Sequence, residues 1–344
     1  ILFNIHGASH AGLKQFEIAL QSYEKALLIQ PQSPEAHYNM GLILNESGNF
    51  EAAIQRFKKA IKIDPNNARM YNDLGVSLSA KDDPKAAISC FKRAIRIDHG
   101  FAEGYFNIGN IFQKEGELIK ATRNYKKAIR VCPDHAKAFN NLAIICMTKG
   151  EFFEAIENFE RALKIRPNYP EALNNLGNVF HDIGDLDSAI KNYNNAIKIA
   201  PNYALAYNNI AMSLSKKGHY TSAIDNLNKA ILIKSDYFEA YYNLGNVLND
   251  NGKVEASLRA YEKALALKTD FSEAYIKIGN ALRKVKFTEA KPHLHSLIIS
   301  LLKQKIFVRP ADISQAVISL VKLEPNIKKV IKAHTFDKFR FDLE

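Results

Sequence analysis

The sequence predicts an all-α solenoid, antiparallel helix pairs stacked into a right-handed superhelix, and three columns of residues repeating every 34 positions predict it. The first column is Ala26, Ala60, Ala94, Ala128, Ala162, Ala196, Ala230 and Ala264, without exception. The second runs Gly41, Gly75, Gly109, Ala143, Gly177, Ala211, Gly245 and Gly279, always the two smallest residues. The third holds Pro31, Pro65, Pro133, Pro167 and Pro201, with His99, Ser235 and Thr269 completing it.

Each element of the repeat follows from one column. In the unit that begins at Pro34, two apolar stripes at helical spacing flank a turn at Gly48, placing helix A near 34–47 and helix B near 50–63. Gly41 and Ala53 are small where the two helices cross, because bulk there would push their axes beyond the usual 8–10 Å. Ala60 is small where helix B meets the next helix A. Met40, Leu44 and Phe57 fill the remaining space, and Pro65 ends helix B because it has no N–H to donate and clashes with the preceding turn.

The combination Leu74, Gly75, Ala87, Phe91 and Ala94, repeated as Leu176, Gly177, Ala189, Tyr193 and Ala196, resembles the tetratricopeptide repeat over residues 1–285. The usual tryptophan of helix A is replaced by Tyr71, Tyr105, Phe139, Tyr207 and Tyr241. The resemblance implies about eight repeats, with A helices lining an inner face that binds other proteins or peptides. Ile1 in place of Met, and a first repeat that begins one residue late, predict further chain upstream.

Asparagine recurs on the A helices, where its side chain competes with the backbone and is a mediocre helix former. One column reads Asn39, Asp73, Asn107, Asn141, Asn175, Asn209 and Asn243, ending at Lys277; one turn further stand Asn110, Asn178, Asn246 and Asn280. A carboxamide carries both donors and an acceptor. A/A spacing of about 10 Å against about 3.3 Å per extended residue gives one rung per three residues of bound peptide. The column resembles the asparagine ladder in the repeat arrays of O-linked N-acetylglucosamine transferases. The bland alternative is that the amides bond between repeats. The neighbouring column (Tyr38, Asn72, Phe106, Asn140, Asn174, Asn208, Tyr242) holds no Lys or Arg, which excludes the carboxylate clamp of chaperone-tail binders.

The net charge of +11 does not indicate nucleic acid. Residues 272–344 carry seven of those eleven charges, and the first-turn column of the A helices is mostly acidic: Glu35, Arg69, Glu103, Lys137, Glu171, Leu205, Glu239 and Glu273. A groove that tracks a phosphate backbone needs a continuous basic lining. The three cysteines, Cys90, Cys132 and Cys146, form no C-x-x-C pair, and no signal or membrane-length apolar run is present, so the chain reads as cytoplasmic. His6 and His10 stand four apart, a metal-compatible spacing, but a position packed between neighbouring helices without a third ligand reads as a structural or surface role. No catalytic residues, cofactor or metal are expected.

The repeat register decays after Lys284. Residues 286–344 read as a capping or linker segment of three helices, near 293–305, 310–323 and 325–334, the middle one with an Ile313, Ala316, Val317, Leu320, Val321 stripe. The stretch 307–327 resembles segments that join repeat arrays to bacterial transferase domains. The reading is therefore a non-catalytic scaffold or adaptor that binds an extended peptide or partner surface, the alternative being the substrate-selecting arm of a larger glycosyltransferase or methyltransferase. Partner identity and oligomeric state stay open.

Overall fold

The computed structural model describes residues 2–283, 285–303, 309–325 and 327–328. Its regular elements are helices only, and no strand occurs among the described residues. The chain divides into two compact units, Ile1–Ala172 and Leu173–Glu344.

In the first unit the helices come in pairs: α1 (Leu2–Gly12) with α2 (Phe16–Ile29), α3 (Pro34–Glu46) with α4 (Phe50–Ile63), α5 (Ala68–Ala80) with α6 (Pro84–Ile97), α7 (Ala102–Lys114) with α8 (Leu118–Val131), and α9 (Ala136–Thr148) with α10 (Phe152–Ile165). Helices α2, α4, α6 and α8 each also pack on the next odd helix, and α1, α3, α5 and α7 touch in succession. The sequence boundaries of helices A and B in the Pro34 unit agree with α3 and α4 to within a residue.

The second unit repeats the plan with most of α11 (Pro170–Ile183), then α12 (Leu186–Ile199), α13 (Ala204–Lys216), α14 (Tyr220–Ile233), α15 (Phe238–Asp250), α16 (Val254–Leu267) and α17 (Ser272–Leu282). Among the described residues no helix is long and apolar enough to cross a membrane.

Local chemistry fixes the helix ends. The side chains of Ser33, Asn49, Asn67, Asp83 and Asp185 each accept a hydrogen bond from the backbone N–H three residues on, satisfying a donor that the first turn leaves open. At the far end, the recurring alanine carbonyls accept the closing bond of every even helix from α2 to α16, as in Asp64 N–H to Ala60 and Ala200 N–H to Ala196. The turn inside each pair places one residue in the left-handed region, where glycine carries no Cβ penalty. Gly48, Gly116, Gly150, Gly184, Gly218 and Gly252 do so, and at the same register Lys14 (φ 58°) and Asp82 (φ 61°) adopt the conformation without glycine's freedom.

The core is a chain of small-on-large contacts. Gly41, Gly75, Gly109, Gly177 and Gly245 each face a fully buried ring sixteen residues on: Phe57, Phe91, Tyr125, Tyr193 and Tyr261. Every ring lies close enough that a Cβ would fall within 2.4–2.6 Å of its nearest carbon.

The C-terminal segment departs from the repeat. A 3₁₀ turn (Pro292–Leu294) leads into α18 (His295–Lys303), and a second (Pro310–Ile313) into α19 (Ser314–Lys322). Leu294, Leu297, Leu301, Ile313, Ala316 and Leu320 form one buried cluster with Tyr261, Tyr275 and Ile278 of the last repeat. Of the expected apolar stripe, Ile313, Ala316 and Leu320 are buried and Val317 partly so, whereas Val321 is exposed. Most of the helix expected near 325–334 lies outside the described residues.

Candidate functional site

The asparagine column stands half-buried on the odd helices, where the 34-residue period repeats each side chain on the same face. Buried Asn72, Asn140, Asn174 and Asn208 sit one position before it. The amides are joined across consecutive repeats. Asn107 donates to Asn72 Oδ1 (2.8 Å), Asn209 to Asn174 Oδ1 (3.0 Å) and Asn243 to Asn208 Oδ1 (2.9 Å), each a step of 35 residues. Asn141 donates to Asn110 and Asn209 to Asn178, both at 3.0 Å and both a step of 31. The expected column thus belongs in part to bonds between repeats.

Tyrosines from the even helices join the network. Tyr193 and Tyr261 donate their hydroxyl protons to Oδ1 of Asn178 and Asn246 at 2.8 and 2.9 Å, and the one proton of Tyr125 is shared between Asn110 Oδ1 (2.8 Å) and Gln113 Oε1 (2.6 Å). Burial pushes the Tyr125 hydroxyl up to about 12, so it stays a proton donor, although the Asn141 amide pulls the other way. Asn39 bonds to the Tyr23 hydroxyl. Asp73 accepts from Tyr38 (2.6 Å) and Asn72 (3.0 Å). The Tyr38 hydroxyl is raised first by burial and then by that carboxylate.

Counting donors and acceptors separates two kinds of rung. On α9, Asn141 spends both N–H groups, on Asn110 and Tyr125, and accepts from Asn140. On α13, Asn209 does the same toward Asn174 and Asn178, and accepts from Asn208. These two amides are fastened. On α7 and α15 the carbonyl oxygens of Asn107 and Asn243 have no partner among the described residues. One turn on, neither do the N–H groups of Asn110 and Asn246, whose oxygens receive the tyrosines. Asn175 on α11 makes no side-chain bond among the described residues. The free groups therefore come as an acceptor and a donor one turn apart, on α7 in the first unit and on α15 in the second. Asn107 and Asn110 line an open depression with Val76, Ser79, Phe91 and Lys114, and Asn39 lines another with Glu35, Asp64 and Arg69.

Sequence reasoning missed an electropositive depression in the first unit. Lys92, Arg96, Lys120, Arg123 and Lys127 surround Tyr105 and Phe112, with Lys127 Nζ 5.7 Å from the Tyr105 ring centre and Lys120 Nζ 5.4 Å from that of Phe112. Only Lys120 of the five is ion-paired among the described residues, to Glu117 at 3.2 Å. The signal was present as basic residues at repeated positions of α6 and α8, but acidic residues elsewhere in those two repeats reduce the net charge of each to +2.

Little here suits chemistry. Sγ of buried Cys146 and the carboxylates of Glu151 and Glu154 lie within 4.8 Å of one another. Burial, aided by those two carboxylates, pushes the thiol up to about 11, which keeps it protonated and a poor ligand. Cys90 is likewise pushed to about 11 by burial.

Comparison with known proteins agrees with this geometry. Family models described as "Tetratricopeptide repeat" match residues 101–168, 134–202, 168–235 and 68–99, and one described as "TPR repeat" matches 12–48, 41–82 and 245–285. Among solved structures, a chain of the APC/C hetero-tetramer Cut9-Hcn1 is similar at 21% identity and a TM-score of 0.61, over 77% of this chain and 52% of that one. The protein thus spans about half the length of that chain. The pilF protein of Pseudomonas aeruginosa is similar at 20% identity and a TM-score of 0.53, over 59% of this chain and 92% of that one. No curated protein sequence matches. Repeat models that together cover most of the chain, on a fold of paired helices with the small-on-large crossing, establish that this protein belongs to the tetratricopeptide-repeat family.

Proposed function

We propose that the protein is a non-catalytic scaffold that captures an extended peptide on the odd-helix face of a unit, gripping its backbone at the unspent amides. The observation that carries this reading is the unspent acceptor and donor, one turn apart, on α7 and α15. An extended strand presents one N–H and one C=O per residue, the complement of that pair. In the second unit, α11 and α15 are two odd helices apart. At about 10 Å per packed helix and 3.3 Å per extended residue, a bound chain would meet a grip roughly every six residues. Such contacts select for extended backbone more than for sequence, and the depressions beside them would take side chains.

The test is a peptide selected on the protein from a random library, with affinity measured against variants. In the second unit, Asn175→Ala with Asn243→Ala should weaken binding between about fivefold and a hundredfold, taking each bond as roughly 0.5–1.5 kcal/mol. Asn141→Ala with Asn209→Ala should leave affinity within a few-fold. Equal loss from both sets, or from neither, would remove the amide grip from the account.

A further inference from the structure

His6 and His10 are not packed between neighbouring helices as their sequence position suggested: His6 is exposed and His10 half-exposed. Their Nε2 atoms face each other at 3.1 Å, with ring centroids 4.3 Å apart. Proton counting makes this contact unusual. His10 Nδ1 lies against Gln15 Oε1, which can only accept, so Nδ1 carries the proton. His6 Nδ1 lies 2.8 Å from the hydroxyl of buried Ser22, whose own proton goes to the Ile18 carbonyl at 2.8 Å. A hydroxyl has one proton, so His6 Nδ1 must also be the donor. Both neutral rings then present an Nε2 lone pair to the other with nothing between them.

Two lone pairs held 3.1 Å apart need a cation, and we propose that His6 and His10 form a two-histidine site for a borderline divalent metal ion such as Zn²⁺, Cu²⁺ or Ni²⁺. Two metal–nitrogen bonds of about 2.05 Å spanning this gap would subtend roughly 98°, between the octahedral and tetrahedral angles. Imidazole suits these ions rather than Mg²⁺ or Ca²⁺. Hydrogen bonds from both Nδ1 atoms to oxygens fix the tautomer and ring orientation, as the outer shell of a metal-bound histidine does. Exposure leaves the remaining positions to water or to a group from a partner. The ion would staple adjacent turns of α1, and Ser22 ties that staple to α2.

The test is titration of chelator-stripped protein with ZnCl₂, and separately with NiCl₂, by calorimetry, alongside amide hydrogen exchange of α1. One ion per chain should bind, and exchange over residues 5–11 should slow. His6→Ala and His10→Ala should each lower the affinity at least tenfold and abolish the slowing. Gln15→Ala and Ser22→Ala, which remove only the outer shell, should lower affinity by about tenfold to a hundredfold, with helical content by circular dichroism unchanged in Gln15→Ala. Binding that persists in the His6→Ala/His10→Ala double variant would assign the ion to other histidines, and absence of binding at micromolar metal would mean that the pair shares a proton instead. Either result overturns the site.

Discussion

Gly177→Leu is expected to cost the protein at least 3 kcal/mol, on the order of the larger overpacking penalties, and to lower its unfolding midpoint sharply. A Cβ at Gly177 would lie 2.5 Å from Cε1 and 2.7 Å from Cδ1 of Tyr193, a ring that is 1% exposed. The ring has little room to withdraw, since its hydroxyl is bonded to Asn178 Oδ1 at 2.8 Å. Gly177→Ala introduces the same Cβ overlap but none of leucine's further atoms, and about 1 kcal/mol of helix propensity offsets part of the crowding, so it should cost less than Gly177→Leu. Native Ala143 and Ala211 show which partners suit a methyl at this register: Phe159 and Leu227 stand opposite them. The double variant Gly177→Ala/Tyr193→Leu, which copies the Ala211–Leu227 pair, should recover stability relative to Gly177→Leu. Denaturant melts followed by circular dichroism measure all three. A leucine variant as stable as the parent would mean that the helix crossing does not depend on the small residue.

The second large effect concerns a fastened amide. Asn209→Ala removes both donors to Asn174 and Asn178 and the acceptor for Asn208. Asn178 keeps its tyrosine. Asn174 fares worse: it is fully buried, its Nδ2 already lacks a partner, and its oxygen would lose its one bond. An orphaned buried polar group costs about 1–3 kcal/mol, and the Asn208 N–H adds to it, so a loss of roughly 2–4 kcal/mol is expected. Asn107→Ala strands only the Asn72 oxygen and should cost about 1 kcal/mol. Melting midpoints of the two single variants, read beside peptide affinity, should therefore move in opposite order. Equal destabilisation would show that the amides are interchangeable and that the division into fastened and free rungs fails.

The fold was legible because one period fixed everything. Once Ala60 and Gly41 are known to recur every 34 residues, a single folded pair dictates the others, and α3 and α4 lie where the stripes placed them. Ala143, a small residue where most repeats have glycine, obeyed the same rule. The candidate site was legible only as a column. Asn107 and Asn141 share the column, yet the carbonyl of Asn141 accepts from Asn140 just before it, whereas Phe106 before Asn107 has no proton to give. Their N–H groups differ for a longer-range reason: Tyr125 stands sixteen residues before Asn141 and accepts from it, but Phe91 stands sixteen before Asn107. His6 and His10 were misplaced for a related reason. Burial at the start of an array depends on what precedes it, and periodicity carries no such information.

The amide bonds that step by 31 or 35 residues bear on how an array of this kind can change in number. A donor in one repeat finds its acceptor one repeat away, never two, so the spacing of the match is the same wherever a 34-residue block begins. Unequal recombination that gains or loses a whole block keeps that spacing, and a donor meets an acceptor again wherever the joined repeats carry both. An insertion of any other size breaks that match at once. The same network that ties neighbours together therefore restricts inherited length changes to whole multiples of the repeat, and a lineage could lengthen or shorten its groove in steps without redesigning the interior.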